Sequence, residues 1–244
     1  MQLGDRIKSY EKAETSGRFL PGLPIYARID GRSFSNFTRK MSKPYDEKMS
    51  RIMQEVTAFL VKECSAKIGY TQSDEISLLF YAEGDSSVFF DGKKQKMVSV
   101  IAGLTSAKFM QLALKEFPEL CEKTVPSFDC RVFQVPNKTE AMNCFLWRVQ
   151  DAVKNSISMA AHEMFGHKKL HGKSSNDKLD MLIAEGTNWN DYPKYFKEGT
   201  FWQRVTYERE PGIIRSKIDE VIPALKFEDL NTEARINLVF GDYV

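Results

Sequence analysis

The spacing of apolar residues along the first half of the chain predicts its secondary structure. Residues 25–30 and 128–135 alternate apolar with polar positions, which predicts two β-strands. Apolar residues recur three and four apart over 46–64 and 96–117, which predicts two helices that pack on a core. Two short apolar runs flank the polar stretch 71–75, which predicts a β-hairpin.

The predicted order is β-α-β-β-α-β, the split βαβ arrangement of an α+β, ferredoxin-like fold. Its two helices pack on one face of an antiparallel sheet, and we expect the other face to be open. The first and third strands are then neighbours at the centre of the sheet. The order alone predicts no function, because many unrelated activities use this fold.

Beyond Pro136 the pattern becomes mainly helical. Amphipathic runs predict helices over 139–165 and 174–184, and 201–207 is typical of a strand. The last forty residues carry prolines and mixed charge, which predicts a loosely packed extension.

Composition and charge indicate the cellular compartment more clearly than they indicate the activity. The net charge is +2, so global charge does not indicate nucleic acid, although 131–173 holds seven Lys or Arg and three acids. Such a run is a solvated face or a phosphate-binding surface. The four cysteines form no CxxC pair, which favours free thiols in a reducing compartment. A polar start and no stretch approaching about 20 apolar residues predict a cytoplasmic protein.

Two acids mark the candidate chemistry. Asp30 ends the first strand and Asp74 lies at the hairpin tip, so central neighbouring strands bring them together. Two close carboxylates repel unless a cation lies between them, and hard oxygen ligands suit Mg²⁺. The Gly31 carbonyl can approach such an ion, and Glu75 is a further candidate catalytic carboxylate. The alternative is that these acids are turn or cap residues.

Neighbouring residues favour a triphosphate site. The segment after the first strand can offer backbone N–H groups to phosphates, and a helix N-terminus attracts anions. The alternative for the lysines is surface solubility. The predicted nucleotide-binding residues are Asp30, Gly31, Arg32, Ser33, Phe34, Ser35, Ser73, Asp74, Lys93 and Lys96.

Two motifs near residue 170 are misleading. GHKKLHGKS (166–174) has five residues between its glycines where a P-loop has four, and it follows a helix. HEMFGH (162–167) has one residue more than HExxH, so its histidines would not share a helical face as zinc ligands. Metal binding, phosphate contact and a solvated loop remain open for the histidines here.

Five blocks of sequence resemble the tRNA-His guanylyltransferase superfamily. They run in order from about Ala27 to Thr200. The blocks are RIDGRSF, GYTQSDEISLLF, KKQKMVS, WRVQDAVKNSIS, and HKKLHGKSSND with GTNWNDYPKYFKEGT.

The resemblance implies a nucleotidyltransferase with a palm domain of the polymerase and cyclase type. Such enzymes add nucleotides to the 5′ end of tRNA in the 3′-to-5′ direction. The resemblance implies two Mg²⁺ ions on Asp30, Gly31 and Asp74, activation of the 5′ end by ATP or GTP, and nucleoside triphosphate substrates. It also implies a homotetramer that binds tRNA, with neither DNA nor a membrane as partner.

The resemblance further suggests how the chain divides. We expect a palm catalytic domain over 1–136 and a helical tRNA-binding extension over 137–244, packed as one unit. Contacts to tRNA or to a second nucleotide would come from Arg148, Asp151, Lys154, Asn155, His171, Lys173 and Asn188.

One stretch departs from the eukaryotic branch, which has HINNLYN after the Trp-Arg block. Here 153–158 is VKNSIS, with Val153 at the histidine position. This segment is similar to that of the guanylyltransferase-like branch, whose members resemble template-dependent repair enzymes for 5′-truncated tRNA. The alternatives are addition of the extra 5′ G to tRNA-His, a non-catalytic tRNA-binding protein and a palm-type nucleotide cyclase.

Overall fold

The computed structural model describes residues 1–84, 86–221 and 226–241, without the side chains of Thr206 and Ile214. Among these residues, the strands are β1 Ile25–Gly31, β2 Ile68–Gln72, β3 Glu75–Phe80, β4 Phe128–Gln134, β5 Thr200–Glu210 and β6 Ile213–Val221. The helices are α1 Leu3–Thr15, α2 Phe34–Phe37, α3 Glu47–Glu63, α4 Lys94–Glu116, α5 Pro118–Lys123, α6 Lys138–Lys169, α7 Ser175–Ala184, α8 Lys194–Lys197 and α9 Thr232–Phe240.

The described strands form one antiparallel sheet in the order β4-β1-β3-β2-β5-β6. The succession β1-α3-β2-β3-α4-β4 confirms the predicted α+β, ferredoxin-like order. β1 lies between β3 and β4, and Asp30 is the register partner of Glu75. The end of β1 therefore lies beside the start of β3.

α3 forms where its sequence supplies both a cap and an apolar stripe. The Asp46 carboxylate accepts hydrogen bonds from the backbone N–H groups of Lys48 and Met49 at 3.0 and 3.1 Å. Ile52, Val56 and Leu60 recur at intervals of four and are at most 4% exposed. This stripe fixes α3 against the sheet face that carries Ile25, Ala27 and Ile29.

Helices cover both faces of the sheet, so the prediction of an open second face is wrong. α3 and α4 pack on one face. On the other, Tyr26 and Leu79 of the sheet share a core with Phe145 of α6 and Leu238 of α9. The ring of Phe145 meets that of Tyr26 at a centroid distance of 5.0 Å. The site at the strand ends therefore lies beside α6 rather than on bare sheet.

α4 is long and apolar enough, by length and composition, to cross a membrane. The prediction that no stretch approaches that length is therefore corrected. Met97, Ile101, Phe109 and Ala113 of α4 are fully buried in the core shared with α3 and β1. A core helix of a globular protein meets the same criterion of length and composition.

The C-terminal region is better packed than its sequence predicts. β6 pairs along most of β5, and Leu238 and Val239 of α9 are at most 5% exposed. The expectation of a loosely packed extension is wrong for these elements, because their apolar residues complete the core on the α6 face. β5 also pairs with β2. The division into 1–136 and 137–244 stays a prediction.

Candidate active site

The turn between β2 and β3 brings the end of β1 against Asp74. Ser73 and Asp74 separate the two strands, and Ser73 takes a positive φ of 54° as the chain reverses. The backbone N–H of Gly31 donates to the carbonyl oxygen of Asp74 at 3.2 Å. This hydrogen bond places Asp30, the preceding residue, beside the hairpin tip.

The carboxyl groups at the tip disfavour one another's negative charge. Burial raises the pKa of Asp74 above its usual value, and the neighbouring Asp30 raises it further. Burial is also the main reason that the pKa of Glu75 is raised, while Arg148 acts in the opposite direction. A divalent cation beside Asp30 and Asp74 would relieve this repulsion.

The oxygen donors at the tip fit Mg²⁺, which keeps several waters and takes few protein ligands. Asp30 and Asp74 supply carboxylates, and Gly31 supplies a backbone carbonyl. No group of three or more His, Cys, Asp or Glu side chains that could hold a metal occurs in the described part of the chain. Two carboxylates completed by water and substrate phosphates are typical of phosphoryl-transfer sites.

Gly31 is required by close packing just beyond the strand. A Cβ built at Gly31 would lie 2.4 Å from Cδ2 of Phe34. The Phe34 ring is 3% exposed and meets the rings of Phe109 and Phe128 at 5.2 and 4.8 Å. Phe34 is thus a core residue, and any contact it makes with a triphosphate would come mainly from its backbone.

The rest of the predicted phosphate segment leads from β1 into α2. The backbone N–H of Arg32 donates to the carbonyl of Ser127 at 2.9 Å, which fixes the chain direction. Ser33 takes a left-handed φ of 57° immediately before α2. Ser35 and Ser73 line the same cavity. The first N–H groups of a helix have no acceptor inside it, so this segment offers donors beside Asp74.

The first cavity has a volume of about 290 Å³ and extends from Asp74 between α2 and α8. Its wall contains aromatic residues that sequence reasoning missed. The Tyr45 ring lies 5.7 Å from that of Tyr195 and 4.8 Å from that of Phe196. Burial raises the pKa of Tyr195 to about 12, so its phenol stays neutral. The aromatic residues of PKYFKEGT were the signal available in the sequence.

A second cavity of about 320 Å³ lies on the α6 side of the hairpin tip. It is lined by Asp30 and Glu75 from the strands and by Arg148, Asn155 and His162 from α6. Gln72, Ser73, Asp74 and Met159 line both cavities. Asp74 therefore stands between two spaces, one aromatic and one lined by charged and polar groups.

Three of the predicted tRNA-contacting residues form a network with Glu75. Nε of Arg148 donates to Oε1 of Glu75 at 2.5 Å, and its Nη2 donates to Oδ2 of Asp151 at 2.9 Å. The Asn155 amide donates to the same Asp151 oxygen at 3.2 Å. The side chains of Arg148 and Glu75 are 10% and 14% exposed. This network connects α6 to the strand that follows Asp74.

Lys93 and Lys96 do not lie at this site, which corrects their assignment to the same triphosphate. The backbone of Lys93 forms an isolated antiparallel β-bridge with that of Arg18, and the Lys96 ammonium lies 4.9 Å from the Phe90 ring centroid. This start of α4 lies near Gln134, which pairs with the first residue of β1. Since β1 rises about 3.3 Å per residue, Asp30 is roughly 17 Å away at the other end of the sheet.

The remaining predicted tRNA contacts lie further along α6 and beyond it. Lys154 is exposed on α6, and His171 and Lys173 are exposed in the turn before α7. Asn188 is exposed, and its side chain accepts from the backbone N–H of Asn190 at 3.0 Å. None of these four lines either cavity in the described structure.

A break in α6 brings two histidines together. Gly166 has φ 69° and ψ 167°, and the rings of His162 and His167 meet at a centroid distance of 5.0 Å. The prediction that these histidines do not share a face of one regular helix is confirmed, and their rings meet because Gly166 breaks α6 between them. Burial lowers the pKa of His162, and His167 and Lys178 lower it further. His162 thus presents a mainly neutral imidazole to the second cavity at neutral pH.

A family model for tRNA-His guanylyltransferase matches residues 4–136, more than half of the chain. The chain belongs to the tRNA-His guanylyltransferase family. The tRNA(His) guanylyltransferase of Saccharomyces cerevisiae is 30% identical over 208 residues, covering 78% of this chain and 86% of that protein. Membership confirms the predicted enzyme class, a nucleotidyltransferase.

Solved structures of the tRNA-His guanylyltransferase family share this fold. A bacterial tRNA(His) guanylyltransferase-like protein in complex with ATP has a TM-score of 0.79 and 35% identity, covering 89% of this chain and 92% of that one. A second solved structure with the same description, in complex with GTP, has a TM-score of 0.74 and 31% identity, covering 96% of this chain and 94% of that one. These likenesses confirm the superfamily and the α+β fold predicted from the sequence.

Proposed function

We propose that this protein repairs 5′-truncated tRNA by adding nucleotides in the 3′-to-5′ direction, as directed by the opposite strand. One observation carries the proposal: Asp74 stands between an aromatic cavity and a polar one. An incoming triphosphate would occupy the first cavity, with its base against Tyr45 and Tyr195. The RNA 5′ end would occupy the second, beside Asp30.

Two phosphoryl transfers would take place at Asp30 and Asp74. In the first, a 5′-monophosphate oxygen attacks the α-phosphorus of ATP or GTP and pyrophosphate leaves. In the second, the 3′-hydroxyl of the incoming triphosphate attacks the activated 5′-phosphorus, and the nucleoside monophosphate leaves. Bound to Asp30, Asp74 and the Gly31 carbonyl, two Mg²⁺ ions would neutralise phosphate charge and favour ionisation of the attacking hydroxyl.

The residues near the two reacting groups would hold them in place. Ser73 and the segment 33–35 would bind the incoming triphosphate through a hydroxyl and backbone N–H groups. Asn155 and His162 would contact the RNA end, and the exposed Lys154, His171, Lys173 and Asn188 its more distant phosphates. Arg148 would hold α6 in position through Glu75 and Asp151.

The first cavity supports selection by a template rather than by a guanine pocket. Guanine recognition requires acceptors for its N–H groups. The Asp46 carboxylate in this wall already accepts from the backbone N–H groups of Ser42, Lys48 and Met49 at 3.0–3.2 Å. Aromatic walls can accept any base. Val153, at the histidine position of the eukaryotic motif, fits the same proposal.

Addition of the extra 5′ G to tRNA-His is the second candidate. The name of the Saccharomyces cerevisiae relative, tRNA(His) guanylyltransferase, favours it. Both candidates share Mg²⁺, triphosphates and tRNA, and for both we propose a cytoplasmic homotetramer without DNA. They differ in whether the opposite nucleotide decides which triphosphate is added.

The test is extension of a tRNA that lacks its first nucleotide and carries a 5′-monophosphate. With Mg²⁺ and all four triphosphates, the wild-type protein should lengthen it by one nucleotide, whereas Asp30→Asn should bind the RNA without extending it. A wild-type protein that binds but never extends the RNA would be a non-catalytic tRNA-binding protein. A cyclic nucleotide formed without RNA would indicate the cyclase instead.

A further inference from the structure

An aromatic and cationic surface lies beside the candidate active site, on the α6 side of the sheet. We call it the Trp147 patch and define it as Arg28, Arg131, Phe133 and Trp147. Trp147 is 51% exposed and Phe133 is 39% exposed. The guanidinium Cζ of Arg28 lies 5.5 Å from the Trp147 ring centroid. These four residues line neither cavity described above.

Pairing between β1 and β4 makes the Trp147 patch one continuous surface. Arg28 is the register partner of Arg131, and Tyr26 is the partner of Phe133, with rings 5.4 Å apart. β4 is the edge strand of the described sheet. The α6 side of this edge is therefore open to a ligand at Phe133 and Trp147.

The patch carries positive charge that its neighbours neutralise poorly. Arg28 forms no ion pair within 4.0 Å among the residues that the structure describes, although its charge acts at longer range to lower the pKa of Glu75. Arg131 lies 3.4 Å from Asp129, but both side chains are about half exposed, at 55% and 49%. An exposed ion pair of this kind is weak. Both guanidinium groups can therefore bind an anion.

The patch is close to the reacting groups. Arg28 precedes Asp30 by two residues on the same face of β1, a separation of roughly 7 Å. Trp147 precedes Arg148, which is bonded to Glu75. The guanidinium Cζ of Arg148 also lies 4.6 Å from the Trp147 ring centroid. A ligand on the patch would adjoin the groups in the second cavity.

We propose that Trp147 stacks on an RNA base, in the nucleotide that adjoins the reacting 5′ end, while Arg28 and Arg131 bind its phosphates. This inference rests on the proposed function. Aromatic rings with arginines bind single-stranded RNA with little sequence preference. A second copy of this chain is a poorer occupant, since a two-fold contact would bring the arginines of both patches together.

Tryptophan fluorescence tests the stacking directly, without any catalytic readout. Trp189 is 6% exposed, and Trp202 of β5 is partly buried against the core, so Trp147 is the tryptophan open to an RNA base. Titration with the 5′-truncated tRNA should quench the wild-type emission, and Trp147→Phe should lose most of that quench. An equal quench in both proteins would overturn the inference.

Affinity separates a stacking role from a structural one. Trp147→Ala should weaken binding of the truncated tRNA about 5- to 100-fold and raise its KM, with the KM for triphosphate unchanged. Trp147→Tyr should stay near wild type, as should Leu114→Ala, a control at another exposed apolar residue of the chain. Wild-type affinity for Trp147→Ala would contradict the inference.

Two other outcomes are distinguishable. If Trp147→Ala changes the sedimentation mass while RNA affinity is retained, the patch is an interface between copies and the inference fails. If the wild-type protein extends no truncated tRNA, the proposed function fails. The extension assay on the wild-type protein is therefore run before any measurement on Trp147.

Discussion

Arg148 of α6 donates to Glu75 of β3, which connects the second half of the chain to the strand that follows Asp74. The pair is nearly buried, with side-chain exposures of 10% and 14%. Glu75 was predicted to be catalytic together with its neighbour Asp74. Its hydrogen bond to Arg148 favours a positioning role over a catalytic one, because its carboxylate is already engaged by a guanidinium.

The first prediction concerns the stability of this pair. Arg148→Met should lower the free energy of unfolding by about 1–3 kcal/mol, because it leaves the nearly buried Glu75 carboxylate without the guanidinium that donates to it. Chemical denaturation measures this change. Lys217→Met, which removes an exposed pair with Asp219, is the control and should change stability little. An Arg148→Met protein as stable as the control would contradict the role given to the pair.

The second prediction concerns pH. The raised pKa of Asp74 means that the folded state binds its proton more tightly than the unfolded state does. The resulting stability is complete below the unfolded pKa of 3.8 and is lost as pH rises through the higher folded value. In a chelator at pH 7, Asp74→Asn should therefore melt above wild type, and the difference should shrink on acidification.

A control of opposite sign is available for this pH experiment. A hydrogen bond from Lys217 is the main reason that the pKa of Asp219 is lowered. Asp219→Asn should therefore melt slightly below wild type at pH 7, and that deficit should disappear as pH falls below the folded pKa. An Asp74→Asn protein that melts below wild type in chelator would show that burial and Asp30 do not strain this carboxylate.

The third prediction concerns the metal. Mg²⁺ at about ten times its dissociation constant should stabilise the wild-type fold by about 1.4 kcal/mol, since it binds the folded state alone. Asp30→Asn and Asp74→Asn should each lose most of this gain, which thermal melting with and without Mg²⁺ measures. Asp129→Asn is the control. It removes an acid of β4 that is paired with Arg131 of the same strand, and it should keep the Mg²⁺ stabilisation. Equal Mg²⁺ stabilisation in all variants would place the ion elsewhere.

Sequence patterns predicted the palm because its helices and strands have clear apolar periodicity. The turn at Ser73-Asp74 and the end of β1 at Asp30-Gly31 followed from the same patterns. The covered second sheet face could not be predicted, because it depends on α6 folding back over Tyr26. The contact of His162 with His167 depends on a break at Gly166, and the misplacement of Lys93 came from ignoring the direction of α4.

The fourth prediction concerns the aromatic cavity. Tyr195→Ala should raise the KM for triphosphate about 5- to 50-fold, because it removes one face of the base-binding wall. Tyr195→Phe should stay close to wild type, since the ring is kept and its phenol is neutral in any case. Steady-state kinetics with saturating RNA measures both. Tyr207→Ala, an exposed tyrosine of β5, is the control, and a similar effect there would exclude a specific wall.

The central claim, templated addition at the 5′ end, is tested by changing the template. Truncated tRNAs that differ only in the nucleotide opposite the missing position are incubated with Mg²⁺ and all four triphosphates, and product masses identify the nucleotide added. The account predicts that G, A, U or C is added according to its complement, and that Asp30→Asn adds none. Addition of G to every substrate, whatever the opposite nucleotide, would contradict it.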